Sequence, residues 1–430
     1  MTAEIAVMNK SAIALAADSA VTIHEGKKIY NTVNKLFALS QCHPVGIMIY
    51  GNSEFMGVPW ETIIKCYRQK LARKKFNNLS EYFFDFIKFI QTDTVVFPPR
   101  LINLQFEIKI TSFYYNLREE IDKEVEKVIE KNKKVNPDEV KEIVNKAISE
   151  HYKSWKEIEN LGSIKAGFKE KQIKKRNKII RQAIKNAFGD LPVDRKNIGK
   201  LSEIAALLYI KNRFSNNLSG VVIAGFGEKD VFPLLFAIEV EARLDEHLKY
   251  RQKVKSEVGK EVVSSIIPFA QHEMVDLFME GVDSKYEKTV NKYLSEIFEK
   301  YSKVIGPTLS GISDEQKDAL EKKLLIVGNQ LVEIFKKEME KYKKNSFISP
   351  TTRIVSLLPK EELAVMAETL VNLTSFKRKI SLSAETVGGP IDVAVISKGD
   401  GFIWIRRKHY FKPELNPQFF ERYNSIKEEV

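Results

Sequence analysis

The sequence predicts an α+β protein in which sheets stack on one another under covering helices, with two helical blocks inserted between the strands. Three observations carry this. Apolar runs of strand length fill the first fifty positions and return in SGVVIAGFGE, FPLLFAIEVEA and GGPIDVAVISKGDGFIWIRR. Segments with helical spacing of apolar residues separate those runs. Two of the intervening stretches, about 71–199 and 285–345, are rich in Lys and Glu and read as helical throughout.

Taken in order, AEIAVMN and SAIALAAD are strands joined by a tight hairpin at Asn9-Lys10. KIYNTV, KLFALS and VGIMIYG continue the strand pattern, and Gly51 ends it. SEFMGVPWETIIKCYRQKL reads as a helix started or kinked by Pro59. FDFIKFI and LINLQFEIKI are apolar-periodic, and the charged segment 118–160 is helical with a break at Asn136-Pro137. Strands return in 219–242, with Gly-Glu-Lys-Asp as the turn. IIPFAQHEMVDLFMEGVDSKY passes from strand into helix. KEELAVMAETLVNLTSFKRKI is an amphipathic helix, with Leu363, Met366, Leu370 and Leu373 at helical spacing. The last strand pair turns at Lys-Gly-Asp-Gly.

Composition narrows the class. The chain has 430 residues, 43% hydrophobic and 29% charged, which fits a folded protein rather than a disordered one. No apolar run approaches the roughly 20 residues that span a bilayer. Asp18 interrupts the first apolar stretch, so a secretory signal is not expected. Cys42 and Cys66 are too few for a disulfide framework or a zinc site, and a cytoplasmic setting is the expectation. The six histidines show no metal-ligand spacing, and His272 beside Glu273 reads as a helix-terminal hydrogen bond. No metal or cofactor is therefore expected.

The net charge is +12, and residues 165–185 hold nine Lys or Arg against one Glu. A solvated helix face is the ordinary reading of such a run. Nucleic-acid contact is the minor one, because few aromatics are interleaved.

In the residues Thr2, Ala16-Ala17-Asp18-Ser19 with Thr22, Lys35-Leu36 and Gly51-Asn52-Ser53, the chain resembles proteasome β subunits and the related bacterial heat-shock protease subunit. These are N-terminal-nucleophile (Ntn) hydrolases. The resemblance covers roughly 2–70, 200–245, 260–285 and 350–408. No single element of it is specific; the weight lies in several recurring in order at near-family spacing. It implies a four-layer αββα sandwich whose discontinuous core is 1–70, 200–284 and 346–408. The inserted blocks are then 71–199 and 285–345, and 409–430 is a tail.

The resemblance also implies a chemistry. Thr2, exposed by removal of Met1, is the nucleophile, and its own α-amine takes the hydroxyl proton. Lys35 lowers the pKa of that amine by like-charge repulsion, and Asp18 holds Lys35. The Gly51 N–H, at a helix N-terminus, stabilises the oxyanion. Thr22 contacts substrate. The chain departs from the family twice. Ala270-Gln271-His272-Glu273 stands where a Ser is usual, and Glu385 and Thr386 stand, shifted by one, where an Asp and a Ser precede the late Gly-Gly.

The expected activity is hydrolysis of peptide or other amide bonds, in a homo-oligomer with an ATPase or regulatory partner as an option. No membrane partner is expected. A catalytically silent scaffold on the same fold is the alternative.

Overall fold

The computed structural model describes residues 2–23, 28–40, 42–162, 164–259, 261–311, 313–381 and 387–421, without the side chains of 22, 23, 28, 29 and 307. The chain begins with β1 (Ala3–Asn9) and β2 (Ala12–Ala17), followed by the short β3 (Val21–Ile23) and β4 (Lys28–Tyr30). Then come β5 (Leu36–Ala38), β6 (Val45–Gly51) and a small hairpin of β7 (Glu54–Phe55) and β8 (Val58–Pro59). Helices α1 (Trp60–Leu71), α2 (Leu79–Thr92), α3 (Pro99–Asn132), α4 (Pro137–Glu157), α5 (Phe168–Lys175), α6 (Asn177–Phe188) and α7 (Arg195–Ile210) follow, with no strand between them among the described residues.

Four strands come next: β9 (Ser219–Gly225), β10 (Leu234–Leu244), β11 (His247–Glu257) and β12 (Ser264–Ala270). A second helical run holds α8 (Glu273–Glu280), α9 (Ser284–Thr308), α10 (Asp314–Lys343), α11 (Ser349–Val355) and α12 (Lys360–Lys379), before the closing pair β13 (Asp392–Ser397) and β14 (Gly401–Arg406).

Among the described residues, β3–β4 and β7–β8 are separate two-stranded ribbons, and ten strands form two five-stranded antiparallel sheets. One has the order β12-β1-β2-β13-β14, the other β11-β10-β9-β6-β5. Alternation along each strand sends successive side chains to opposite faces. Ala6, Met8, Ile13 and Leu15 of the first sheet pack against Met48, Tyr50, Val222 and Ala224 of the second. The outward residues Ile5, Val7, Ala14 and Val393 meet Leu363, Ala367 and Leu370 of α12. On the far side, Ile47, Val221, Ile223 and Phe236 are continuous with apolar residues of α1 to α7. Both sheets are thus largely apolar on both faces, which is why β2 and β9 read as near-continuous apolar runs rather than alternating ones.

Helix boundaries follow local chemistry. Asn136 caps α4, accepting from the Asp138 and Glu139 N–H groups, and Glu139 returns a bond to the Asn136 N–H. Ser313 and Gln316 form the same box at α10.

The structure corrects three sequence expectations. The segment 53–59 is a β-hairpin, and helix α1 begins only at Trp60. Strand β11 has no counterpart in the sequence reading, although the alternation of His247, Lys249, Arg251 and Lys253 with Leu248, Tyr250 and Val254 is itself a strand pattern. Leu373 of α12 is 40% exposed, and the buried face runs instead through Leu363, Ala367, Leu370 and Thr374. The basic run 165–185 is partly consumed inside the chain. Arg176 and Lys175 pair with Asp245, and Lys169 pairs with Glu203. Among the described residues, no helix is long and apolar enough to cross a membrane.

Candidate active site

Three separate chain segments meet at the open end of β1. Thr2 directly precedes β1, Asp18 directly follows β2, and Lys35 directly precedes β5. The antiparallel pairing of β1 with β2, Glu4 opposite Ala17, carries Asp18 back alongside Ala3. The two residues then bond reciprocally: the Asp18 N–H donates to the Ala3 carbonyl, and the Ala3 N–H donates to Asp18 Oδ1, both at 3.1 Å. Lys35 enters from the second sheet, where its carbonyl accepts from the Ile49 N–H at 2.8 Å.

Asp18 is the hub. Lys35 Nζ donates to its Oδ1 at 2.5 Å. Its Oδ2 accepts from the Gly388 N–H at 3.0 Å and the Ala20 N–H at 3.3 Å. Three backbone donors, counting the Ala3 N–H, and a cation on one buried carboxylate are the partners such a charge needs away from water. Thr2, Asp18 and Lys35 are all buried.

A fourth side chain, absent from the sequence reading, shares the site. Glu4 is 1% exposed, and its Oε1 lies 3.2 Å from Lys35 Nζ. It stands two residues along from Thr2 and next to the Thr2 hydroxyl. Neither Glu4 oxygen nor Thr2 Oγ1 makes a regular hydrogen bond. Burial pushes the Glu4 carboxyl up to about 8, and Asp18 adds to the rise, with Lys35 offsetting part of it. Glu4 is therefore mostly protonated at neutral pH, and the Lys35–Asp18 pair carries the charge balance. The available signal was a Glu within an otherwise apolar strand, AEIAVMN, which is unusual enough to mark.

The walls are defined. Tyr50 stacks on Phe269 with centroids 5.5 Å apart, and Phe269 is the cross-strand partner of Glu4. Burial raises the Tyr50 phenol well above its ordinary value, and the carboxylates of Glu239 and Glu4 add to this. A second buried pair lies nearby, between Lys408 and Asp392, and Asp392 is paired with Ala17 across the sheet. Burial lowers the Lys408 pKa against the pull of Asp392.

The remaining sequence-predicted residues fare differently. Gly51 ends β6 opposite Ser219 with φ 79°, and it is exposed. It does not stand at a helix N-terminus, because the β7–β8 hairpin intervenes before α1, so the helix-dipole argument for its N–H fails. Thr22 belongs to β3, but its side chain lies outside the described residues, as do Glu385 and Thr386 entirely. Gln271, within the stretch Ala270–Glu273, donates its N–H to the Thr2 carbonyl at 3.2 Å, and its Oε1 accepts from Arg378 Nε at 2.5 Å. His272, the N-cap residue of α8, bonds Asp276 in the first turn of that helix. Among the described residues, no cluster of His, Cys, Asp or Glu has the makings of a metal site.

A cavity of about 730 Å³ lies elsewhere and is lined among others by Asn52, Lys109, Arg213, Glu241 and Lys249. It begins next to Gly51 but includes none of Thr2, Glu4, Asp18 and Lys35. No protein-family model and no curated protein matches this chain.

Proposed function

We propose that the protein is a threonine-type hydrolase of peptide or other amide bonds, acting through Thr2 after removal of Met1 on an Ntn-type four-layer αββα sandwich. One observation carries the reading. A buried Lys35 ammonium, fixed at 2.5 Å by Asp18, stands in the same buried cluster as the Thr2 hydroxyl. A hydroxyl needs a base and a tuned electrostatic environment to become a nucleophile, and this cluster holds the groups for both. The face-to-face sheets with helices on each outer side support the architecture. Self-association into a homo-oligomer belongs to the same proposal, and a monomer by light scattering at micromolar concentration counts against it.

The second reading is a catalytically silent scaffold. It is favoured by Thr2 being only 2% exposed and by the loss of the helix-terminal oxyanion site at Gly51.

One experiment separates the two. The purified protein is analysed by intact and peptide mass spectrometry before and after an epoxyketone, which requires both the hydroxyl and the α-amine of an N-terminal Thr. Loss of Met1 with an adduct on the Thr2 peptide supports the hydrolase. Loss of Met1 without an adduct favours the scaffold, and a retained Met1 removes Thr2 α-amine chemistry.

A further inference from the structure

We infer that the Glu4 carboxylate, rather than the α-amine alone, is the proton acceptor for the Thr2 hydroxyl, which makes Glu4 a catalytic residue of the proposed hydrolase. The inference rests on the threonine-hydrolase reading above.

The geometry comes first. Thr2 and Glu4 are separated by one residue, so the strand period brings both side chains to the same face. Ala6 and Met8, next along that face, point between the two sheets, while Ile5 and Val7 point to the helices. Thr2 Oγ1 and both Glu4 oxygens are buried without a regular hydrogen-bond partner. An ordinary structural carboxyl in such a place would be bonded, because a buried polar group left unpaired costs about 1–3 kcal/mol. Asp18, in the same cluster, shows the contrast: its oxygens accept from three backbone N–H groups and Lys35. Glu4 alone is left with an ion contact to Lys35 at 3.2 Å and a loose contact with the hydroxyl. Catalytic hydrogen bonds are often long before substrate arrives and tighten afterwards.

Charge balance gives the direction of proton flow. The titratable groups facing Glu4 are Lys35 from ahead of β5, Asp18 from the end of β2 and Tyr50 from β6, with the Lys408–Asp392 pair beyond. β12 contributes only Phe269 opposite it. Lys35 and Asp18 cancel. An ionised Glu4 adds one buried negative charge beside that pair, and as it takes the Thr2 proton this charge passes through Oγ1 to the carbonyl oxygen of the substrate. A carboxylate held near the working pH is also a stronger base than an ordinary one.

The step balances. Thr2 Oγ1 forms a bond to the amide carbonyl carbon as its proton passes to Glu4. The carbonyl electron pair moves onto oxygen and returns as the C–N bond breaks. The departing nitrogen takes the proton from Glu4 and leaves as the amine, with the acyl group on Thr2 as an ester. Water then attacks the ester, its proton passing through Glu4 to Thr2 Oγ1, and the carboxylic acid is released.

The test uses the full chain and a β-lactone probe, which acylates the hydroxyl without needing the α-amine. Adduct formation on the Thr2 peptide is followed by mass spectrometry from about pH 6 to about pH 9.5. In the wild type the rate is expected to climb with pH and level off. E4Q is expected to lose at least about 100-fold in rate and its pH dependence, with its melting transition retained. E4D, with the carboxylate withdrawn by one methylene, keeps a displaced pH limb at reduced rate. An E4Q rate within about threefold of wild type with the same profile overturns the Glu4 role and leaves Thr2 chemistry standing on the α-amine. No Thr2 adduct in the wild type at any pH overturns the hydrolase reading, and the Glu4 role with it. If E4Q fails to fold, the E4D profile decides: an unshifted limb overturns the proposal.

Discussion

Lys35 Nζ lies 2.5 Å from Asp18 Oδ1, and both side chains are almost wholly out of water. Removing one partner of a buried pair leaves the other charge uncompensated, at a typical cost of about 3–5 kcal/mol. K35M is expected near the low end of that range, because three backbone N–H groups still serve Asp18. D18N is expected to cost less, because Glu4 can ionise and take over Lys35 at 3.2 Å. The double variant D18N/E4Q then strips Lys35 of both carboxylates and should cost more than the two single changes summed. Urea unfolding of the four proteins measures the coupling, and strict additivity would show that Glu4 does not exchange with Asp18.

Glu4 also gives stability a pH dependence of unusual sign. Its folded pKa, about 8, lies above the ordinary carboxyl value of 4.5. Between those values the folded state holds a proton that the unfolded state has lost. Stability from this group therefore falls as pH rises from 4.5 to about 8 and is level above that. The slope is at most about 1.4 kcal/mol per pH unit. Melting curves of wild type and E4Q across this window check the point. The wild type should lose ground to E4Q as pH rises, and parallel curves would mean that Glu4 does not hold its proton.

The parts of the molecule legible in the sequence are those whose physics is local. Strands β1, β2, β6, β9, β13 and β14 show as apolar runs ended by turn residues, and the long helices show as periodic segments with a break at Asn136-Pro137. Thr2, Asp18 and Lys35 stood out through the resemblance to proteasome β subunits, and all three are buried at the start of β1, the end of β2 and the start of β5. What stayed hidden depends on partners distant in sequence. The alternation in β11 is a legible strand pattern, but that Lys249 and Arg251 are paired with Glu241 and Glu239 on β10 is not readable from the segment itself. The hairpin at 54–59 lies within a helix-like apolar spacing and overrides it. Glu4 was legible only as an oddity, since its meaning comes from Lys35, 31 positions on. The buried face of α12 was displaced by one step because Thr374, not Leu373, faces the sheet side, where its hydroxyl bonds the Leu370 carbonyl.

The wall of the site depends on a glycine. A Cβ on Gly220 would lie 1.9 Å from Tyr50 Cζ, inside the ring that stacks on Phe269 beside Glu4. G220A must push the ring aside, and overpacking of this kind costs about 1–3 kcal/mol. The same substitution in a Tyr50→Ala background has no ring to displace and should cost only tenths of that. A double-mutant cycle by urea unfolding reads the coupling directly. Equal penalties in both backgrounds would place the strain somewhere other than the ring.

The strongest buried network outside the site is centred on Glu241. Lys109 Nζ donates to its Oε1 at 2.6 Å, the Ser215 N–H reaches the same oxygen at 3.1 Å, and Lys249 Nζ lies 2.7 Å from Oε2. Lys249 also donates to the Leu208 and Arg213 carbonyls, so this one ammonium ties α7 and the following loop to β11. Burial works to raise the Glu241 carboxyl, but Lys109 and Lys249 outweigh it and hold it down to about 2. A carboxyl depressed in this way contributes stability that is complete above its ordinary value of 4.5 and is lost as pH falls toward 2. E241Q removes the charge and leaves Lys249 buried with carbonyl partners alone, for an expected loss of about 3–5 kcal/mol near neutrality. Its acid limb should be correspondingly shallower than that of the wild type. Unfolding followed from about pH 7 to about pH 2 tests both parts, and an E241Q curve parallel to the wild type would mean that Glu241 is not held ionised by the two lysines.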